Sequence, residues 1–180
     1  MRDDVYNVVK RQILQILGGS EQARRAALAK LRRGTGKPPG NVPEIWELTI
    51  GALPENASPP EEYAVHAALT LFAVHRQGTS IDGLSGGTLG AAVAKLRNGD
   101  NDDAITRRFN STVTSATIAE LCAHARSLVQ LLRSKGINMD YPKFAQELYV
   151  WQFDPEKVRL NWGRDYWRKN MNQKEDSSDE

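Results

Sequence analysis

The chain has 180 residues, of which 40% are hydrophobic and 26% are charged, with 24 basic and 22 acidic residues. Such a chain can bury its own core, and the lack of any run of about 18 apolar residues excludes a membrane span. A single cysteine excludes an internal disulfide and a multi-cysteine zinc site. The N-terminal residues show no apolar stretch after a basic start, so we expect a cytoplasmic protein.

Two helices are predicted at the N-terminus. Residues 4–17 carry apolar side chains at helical spacing, and Gly18 and Gly19 end the pattern. The residues expected to face inward are Val5, Val8, Val9, Ile13, Leu14 and Leu17. Ser20 is a residue type that caps helix N-termini, which predicts that a second helix begins there.

The strongest charge asymmetry of the chain lies in this second helix and the loop after it. Residues 22–43 contain no acid and include the basic residues Arg24, Arg25, Lys30, Arg32, Arg33 and Lys37. Glycine and proline make residues 32–40 an irregular loop, whose amides and cations can follow a phosphate backbone. The alternative is a solvated helix end, at which Arg32 and Arg33 complement the helix dipole. The sequence leaves both interpretations open.

A short helix and then a long central helix are predicted next. Pro43 can open the short helix, and the residues expected to pack inward are Ile45, Trp46 and Ile50. Ser58 and Glu61 form a capping box for the long helix, which is apolar on almost every side. Its histidines, His66 and His75, are nine residues apart, which rules out a metal pair one turn apart and predicts hydrogen-bonded packing residues.

Residues 105–133 combine a buried face with a basic face. A glycine-rich linker and a short helix from Thr88 precede them, and Asp102 or Asp103 can cap the helix that contains Ile105. Thr117 and Glu120 predict a capping box for the following helix, and Gly136 supplies a left-handed stop. Its apolar stripe, which makes Cys122 a core residue, consists of Ile118, Leu121, Cys122, Ala125, Leu128, Val129 and Leu132. The basic residues of this stretch are Arg107, Arg108, Arg126 and Arg133.

Two more amphipathic helices are predicted near the C-terminus, beginning around Asp140 and Pro155. Phe153 and Trp167 are the aromatic residues expected to be exposed, where they could stack on nucleobases. No stretch alternates with period two, so the fold class is all-α, a helical bundle with two small helical subdomains. The expected division is an N-terminal bundle with a basic loop over residues 1–100, a C-terminal bundle over residues 101–169 and a disordered acidic tail over residues 170–180.

Motifs for catalysis, cofactors or metals are weak. Ser85 lies in a G-x-S-x-G pattern typical of hydrolases, but no strand is predicted before it. Gly34, Gly36 and Gly40 miss the dinucleotide-binding spacing by one position, and no cluster of Asp, Glu and His has metal-ligand spacing. We therefore expect no enzymatic activity, no cofactor and no metal, and a hydrolase that uses Ser85 is the most distant alternative.

Several segments carry a family resemblance together. They are Arg24 and Arg25 after GGSEQA, then GGTLGAAVAKLR, ITRRFN, LCAHARSLVQLLRSKG, MDYPKFAQELYVW and VRLNWGRDYW, in that order. The series resembles the CasB family, the small subunit of the type I-E CRISPR Cascade complex. The resemblance implies a helical two-part protein without catalytic activity, present as two copies in a ribonucleoprotein that finds DNA with a guide RNA. The implied partners are the backbone and large subunits of Cascade, a second copy of the chain, crRNA and target DNA including its displaced strand, with no membrane.

The resemblance also implies that a basic surface stabilises the R-loop by contacting the nucleic-acid backbone. Carried over by position, this role falls on Arg24, Arg25, Arg107, Arg108 and Arg126. The charge pattern of the chain adds Arg32, Arg33, Lys37 and Arg133 as candidates. Base pairing to the guide would supply the sequence specificity, so the protein need supply only cations and shape. The alternative from another class is a helical scaffold whose basic face docks acidic protein partners.

Overall fold

Helices make up all the regular structure that can be described. The computed structural model describes the backbone of residues 2–175 and the side chains of residues 4–168. No strand occurs within residues 2–175, which confirms the all-α class. The α-helices are α1 (Arg2–Gly18), α2 (Glu21–Arg33), α3 (Pro59–Arg76), α4 (Leu89–Ala94), α5 (Asp102–Val113), α6 (Ile118–Ser134), α7 (Tyr141–Trp151) and α8 (Pro155–Glu175). Short 3₁₀ turns, Pro39–Asn41, Pro43–Ile45 and Ile50–Ala52, connect α2 to α3.

Helix α3 lies at the centre of the fold, as its sequence predicts. Every residue from Ala64 to His75 is buried, so this part of the helix is covered on all sides. Helices α1, α2, α6 and α7 pack around it, α8 lies against α4 and α7, and α5 lies against α6. Because α1 also packs on α7, helices from both halves of the chain share one hydrophobic core. The division between residues 100 and 101 stays a prediction.

Side-chain caps begin most of the helices at the predicted residues. Three side-chain hydroxyl oxygens each accept a hydrogen bond from the backbone N–H three residues further on, namely those of Ser20, Thr88 and Thr117. The Glu61 carboxylate accepts from both the backbone N–H and the hydroxyl of Ser58 at 2.7 Å, which confirms that capping box. The predicted box of Thr117 and Glu120 is only half formed. The Glu120 carboxylate accepts a hydrogen bond from the backbone N–H of Ala116 instead of that of the N-cap residue Thr117.

The predicted cap of α5 is wrong. Its N-cap residue is Asn101, which makes no side-chain cap bond, and Asp102 and Asp103 already lie in the first helical turn. The Asp102 carboxylate is occupied elsewhere, because it accepts from the N–H of Gly99 and pairs with Arg97 at 3.0 Å. Both acids still lie at the positive end of the helix dipole.

Two residues predicted to pack inward are exposed. Leu14 is 50% exposed, because at about 100° per residue it lies on the face of α1 opposite the buried Ile16. Trp46 is 38% exposed, because the helix predicted after Pro43 is replaced by short 3₁₀ turns that keep no 3.6-residue face. The Trp46 indole N–H donates to the Pro39 carbonyl at 2.9 Å.

Both histidines of α3 are buried, hydrogen-bonded packing residues, as predicted. His75 Nε2 donates to the Ile137 carbonyl at 2.8 Å, which leaves Nδ1 to accept from the Tyr141 hydroxyl at 3.0 Å. His66 Nε2 donates to the Gly34 carbonyl at 3.1 Å. Burial disfavours the charged imidazole, so it lowers the pKa of both residues, that of His75 to about 4.

Helix α8 closes the core on the C-terminal side. A Cβ atom at Gly90 would collide with the backbone of Trp162, so glycine allows α4 and α8 to approach this closely. The backbone of α8 continues to Glu175, which is part of the segment expected to be a disordered tail. The end of that segment, residues 176–180, lies outside the described residues. Among residues 2–175, no helix combines the length and apolar character that crossing a membrane requires.

Replacing Leu128 with alanine is expected to lower the free energy of unfolding by about 2 to 5 kcal/mol, because its fully buried side chain would leave a cavity under α6. The matched control is Leu14→Ala at the exposed position of α1, with an expected loss below about 1 kcal/mol. Urea unfolding followed by circular dichroism measures both. Equal losses in the two variants would contradict the assignment of Leu128 to the core.

His75 is expected to make the fold acid-sensitive. Its pKa is about 4 in the folded protein and about 6.5 when unfolded, so its stabilising effect is complete above pH 6.5 and is lost as pH falls towards 4. The free energy of unfolding of the wild type minus that of His75→Gln should therefore fall by about 2 to 3 kcal/mol between pH 7 and pH 4.5.

The comparison with His75→Gln cancels other titrating groups. Burial raises the pKa of Glu147 to about 7, so this carboxyl contributes with the opposite sign, but it does so equally in both proteins. Urea unfolding at each pH gives the difference directly. A difference that does not change with pH would show that His75 has an ordinary pKa in the folded state.

Candidate nucleic-acid interface

A groove between α2 and the C-terminal end of α3 collects three of the predicted basic residues. Arg24, Arg25 and Arg32 line it from α2, and its volume is about 520 Å³. The remaining lining residues are Glu21, Leu28, Ala29, Arg76, Gln77, Gly78 and Thr79. We call this depression the basic groove. It forms because α2 places these arginines on its outer side while Leu28 and Leu31 are buried against the core.

Arg76 is a basic-groove residue that sequence reasoning missed. Its guanidinium donates to the Ile81 carbonyl at 2.7 Å, which fixes it at the end of α3. Burial and the neighbouring positive charge of Arg24 lower the pKa of Arg76, and the Asp82 carboxylate partly offsets them. Arg24 itself donates to the Leu17 carbonyl at 3.4 Å. The groove therefore holds two arginines close enough to repel each other.

Two of the predicted arginines are paired with acids. Arg25 forms an ion pair with Glu21 one helical turn away, and Arg33 pairs with Glu44 at 3.2 Å. All four side chains are substantially exposed, so the pairs are weak and open to exchange. Their local charge is nevertheless neutralised, which leaves Arg24, Arg32 and Arg76 as the main cations of the basic groove.

Helix α6 brings two more predicted residues to this side of the molecule, but at different places. Arg133 donates to the side-chain carbonyl of Gln77 at 3.1 Å, so it lies at the edge of the basic groove. Arg126 instead lines a separate cleft together with Lys37 from the loop after α2. At 1.5 Å per residue, the two arginines are about 10 Å apart along the helix.

Arg107 and Arg108 lie on α5 and line neither the basic groove nor the cleft. Both are exposed. Arg108 donates to the hydroxyl of Ser127 at 2.9 Å, which places its guanidinium beside α6. Arg107 donates to the Asp103 carbonyl at 3.4 Å within its own helix. Arg108 therefore contacts α6, whereas the Arg107 side chain bonds within α5.

Other sequence motifs lie away from these surfaces. The Ser85 hydroxyl contacts the Asp82 carboxylate at 3.4 Å and the Asn138 amide at 3.0 Å, which is a loop-stabilising network. Phe153 is 65% exposed and Trp167 is 50% exposed, as predicted. No group of three or more His, Cys, Asp or Glu with metal-binding geometry occurs in the part of the chain that the structure describes.

Comparison with known proteins identifies the family. The model of the family described as CRISPR-associated protein Cse2 matches residues 27–167, which includes α3 to α7 and residues 155–167 of α8. The chain belongs to the Cse2 family. This confirms the CasB resemblance of its sequence. A comparison with curated proteins gives no match.

Solved structures share the Cse2 fold of this chain. CasB from Thermobifida fusca is 29% identical, with a TM-score of 0.75 over 90% of this chain and 97% of its own. CasB from Thermus thermophilus is 21% identical, with a TM-score of 0.70 over 92% and 97% of the two chains. A chain of a CRISPR RNA-guided surveillance complex is 22% identical, with a TM-score of 0.75 over 98% and 99%.

Gly34→Ala is expected to destabilise the protein by about 1 to 3 kcal/mol and to loosen the loop that carries Lys37. A Cβ at Gly34 would lie 2.5 Å from Ile45 Cδ1 and 3.1 Å from Thr70 Cγ2, both in buried residues. Gly40→Ala is the matched control, because its Cβ would meet nothing within 4 Å, and it should stay within about 1 kcal/mol of wild type. Urea unfolding that gave equal stabilities for both variants would contradict this packing.

Proposed function

We propose that this Cse2-family chain is a non-catalytic subunit of a type I-E Cascade complex that holds nucleic acid through its basic surface. The observation that carries the proposal is the convergence of Arg24, Arg32 and Arg76 in one groove, whose acid Glu21 is already paired with Arg25. Cations that repel each other in the free protein gain most when a polyanion lies between them.

The basic groove suits a phosphate backbone better than a sequence-specific contact. Among the described residues, its three arginines without an ion pair come from the outer face of α2 and the end of α3. Backbone contacts position a strand and carry no sequence information. This is sufficient in an RNA-guided complex, because pairing between guide and target supplies the specificity.

The proposed partners follow from the family and from the extent of the basic surface. Arg133 at the edge of the groove, Arg126 and Lys37 at the cleft, and Arg108 beyond it extend the positive surface along α6. We assign this surface to crRNA and target DNA, including the displaced strand. The backbone and large subunits and a second copy of the chain would hold it in the complex, and the cytoplasmic location stays a prediction.

The double variant Arg24→Gln and Arg32→Gln is expected to bind single-stranded DNA more weakly and with less salt dependence. Each lost phosphate contact removes about 0.7 from the slope of log affinity against log salt, so the slope should fall by roughly 1.4. The control, Lys157→Gln with Arg164→Gln, removes two charges from exposed positions of α8 outside the groove and should keep the wild-type slope. Filter binding across a salt series measures both.

The same variants distinguish the proposed function from the alternative, a scaffold that docks acidic proteins. A scaffold that docks acidic proteins would assemble through the basic groove, so the groove variant would lose complex assembly. In our proposal, the groove variant assembles normally, and the R-loop formed by the complete complex has a shorter lifetime than with the control. Normal assembly with an unchanged R-loop lifetime would contradict the proposed function, and so would wild-type protein that binds no DNA at low salt.

A further inference from the structure

A cleft of about 280 Å³ opens between α3, α6 and the loop that follows α2. Its lining residues are Thr35, Gly36, Lys37, Tyr63, His66, Ala67, Thr70, Leu71, Ala119, Cys122, Ala123 and Arg126. We call it the α3–α6 cleft. Its volume lies near the lower end of the roughly 300 to 1,000 Å³ typical of small-molecule sites, so it suits a single compact group.

Two cations stand at this cleft without partners. Lys37 and Arg126 are both exposed, and neither side chain has an ion pair or hydrogen bond with any side chain or backbone group in the described part of the chain. They come from different elements, the loop after α2 and the middle of α6. A phosphate group bound between them would gain contacts from both sides at no cost in broken protein contacts.

The groups that line the cleft between these cations are uncharged at neutral pH. Burial raises the pKa of the Tyr63 hydroxyl and that of the Cys122 thiol, each to about 12. Burial also lowers the pKa of His66. With Ala67 and Leu71 completing these walls, the interior favours a neutral, flat, partly apolar group over a second anion.

The cleft is built into the fold before any ligand binds. His66 Nε2 donates to the Gly34 carbonyl, which ties the loop to α3 one residue before the first lining residue, Thr35. The Thr35 hydroxyl contacts the Thr70 carbonyl at 3.5 Å. A Cβ at Gly34 would lie 2.5 Å from Ile45 Cδ1 and 3.1 Å from Thr70 Cγ2, so the loop packs closely against α3 and its neighbours. These contacts hold Lys37 at the cleft and lower the entropy cost of binding there.

The α3–α6 cleft and the basic groove lie along the same two helices. On α3, Thr70 lines the cleft and Arg76 lines the groove, which is about 9 Å further along the helix axis. On α6, Arg126 lines the cleft and Arg133 contacts the groove residue Gln77, about 10 Å further along. These distances equal about three nucleotide steps of a stacked strand at about 3.4 Å each, so one strand can reach both places.

We infer that the α3–α6 cleft receives one unpaired base of the strand whose backbone lies in the basic groove, with an adjacent phosphate between Lys37 and Arg126. The inference rests on the proposed function and adds a base-binding subsite to it. A base inserted beside Tyr63 and His66 is removed from water and stacks on aromatic faces, as in other proteins that hold extruded bases. The lining of this subsite combines apolar side chains with the hydroxyl groups of Thr35, Tyr63 and Thr70.

The test uses the full chain and two single-stranded oligonucleotides of about 12 residues, a length within the site sizes of single-strand-binding folds. One is oligo-dT and the other is an abasic strand with the same backbone. Wild-type protein should bind the abasic strand about tenfold more weakly, which corresponds to stacking of one base. The salt dependence should be the same for both strands, because their phosphates are the same.

A variant that fills the cleft tests whether the difference in affinity between the two strands arises at this site. Ala123 is an exposed residue of α6 that lines the cleft, so Ala123→Phe blocks the cleft without entering the core. It should bind both strands with the affinity of wild type for the abasic strand. Ala123→Ser, the matched control, leaves the cleft open and should keep the tenfold preference. Thermal unfolding of both variants verifies that they remain folded.

The outcomes separate this inference from the proposed function. Equal binding of both strands by the wild type overturns the base subsite and leaves the basic groove in place. A tenfold preference that survives in Ala123→Phe shows that the base binds elsewhere, which also overturns the inference. If the wild type binds neither strand at low salt, the proposed function fails and the subsite fails with it.

Discussion

Because α3 is buried from Ala64 to His75, the other helices must cover it on all sides, and this requirement sets the positions of α1, α2, α6 and α7. Polar groups inside such a core are kept neutral: both ring nitrogens of His75 are hydrogen-bonded, and His66 is hydrogen-bonded through Nε2. Charged groups can then occur only where α3 reaches the surface or where its cover is incomplete. The basic groove lies where α3 reaches the surface, beside Arg76, and the α3–α6 cleft lies where the cover of α3 is incomplete.

The features predictable from the sequence are those decided within a few residues. The Ser20 cap and the Ser58–Glu61 box follow from local hydrogen bonds, and the stripe of α6 follows from helical periodicity. The inward prediction for Leu14 is wrong because its angular position on α1 directs this apolar side chain to the surface. The position of Arg76 in the basic groove could not be predicted, because this residue ends an apolar helix and has no Lys or Arg beside it in sequence. Only the packing of α2 on α3 brings Arg24 close to it.

The basic groove illustrates why charge in a sequence is a poor measure of charge on a surface. Residues 22–43 contain no acid, yet the fold neutralises Arg33 through Glu44, eleven residues away. It also separates Arg126 from Arg133, which share a side of α6 in projection but contact different depressions. Arg24 and Arg76 remain as neighbouring cations of the groove that one bound anion could neutralise together.

In the proposed function, the groove and the cleft would divide the chemistry of a nucleotide between them. Arginines in the groove respond to phosphate charge, and salt weakens that response because counterions compete for the same sites. The interior of the cleft is different, because Tyr63 and Cys122 stay protonated and His66 stays neutral throughout the neutral range. Stacking in such a site depends on the base face and not on ionic strength. A strand held at both places would therefore keep its register at salt concentrations at which the groove alone releases it.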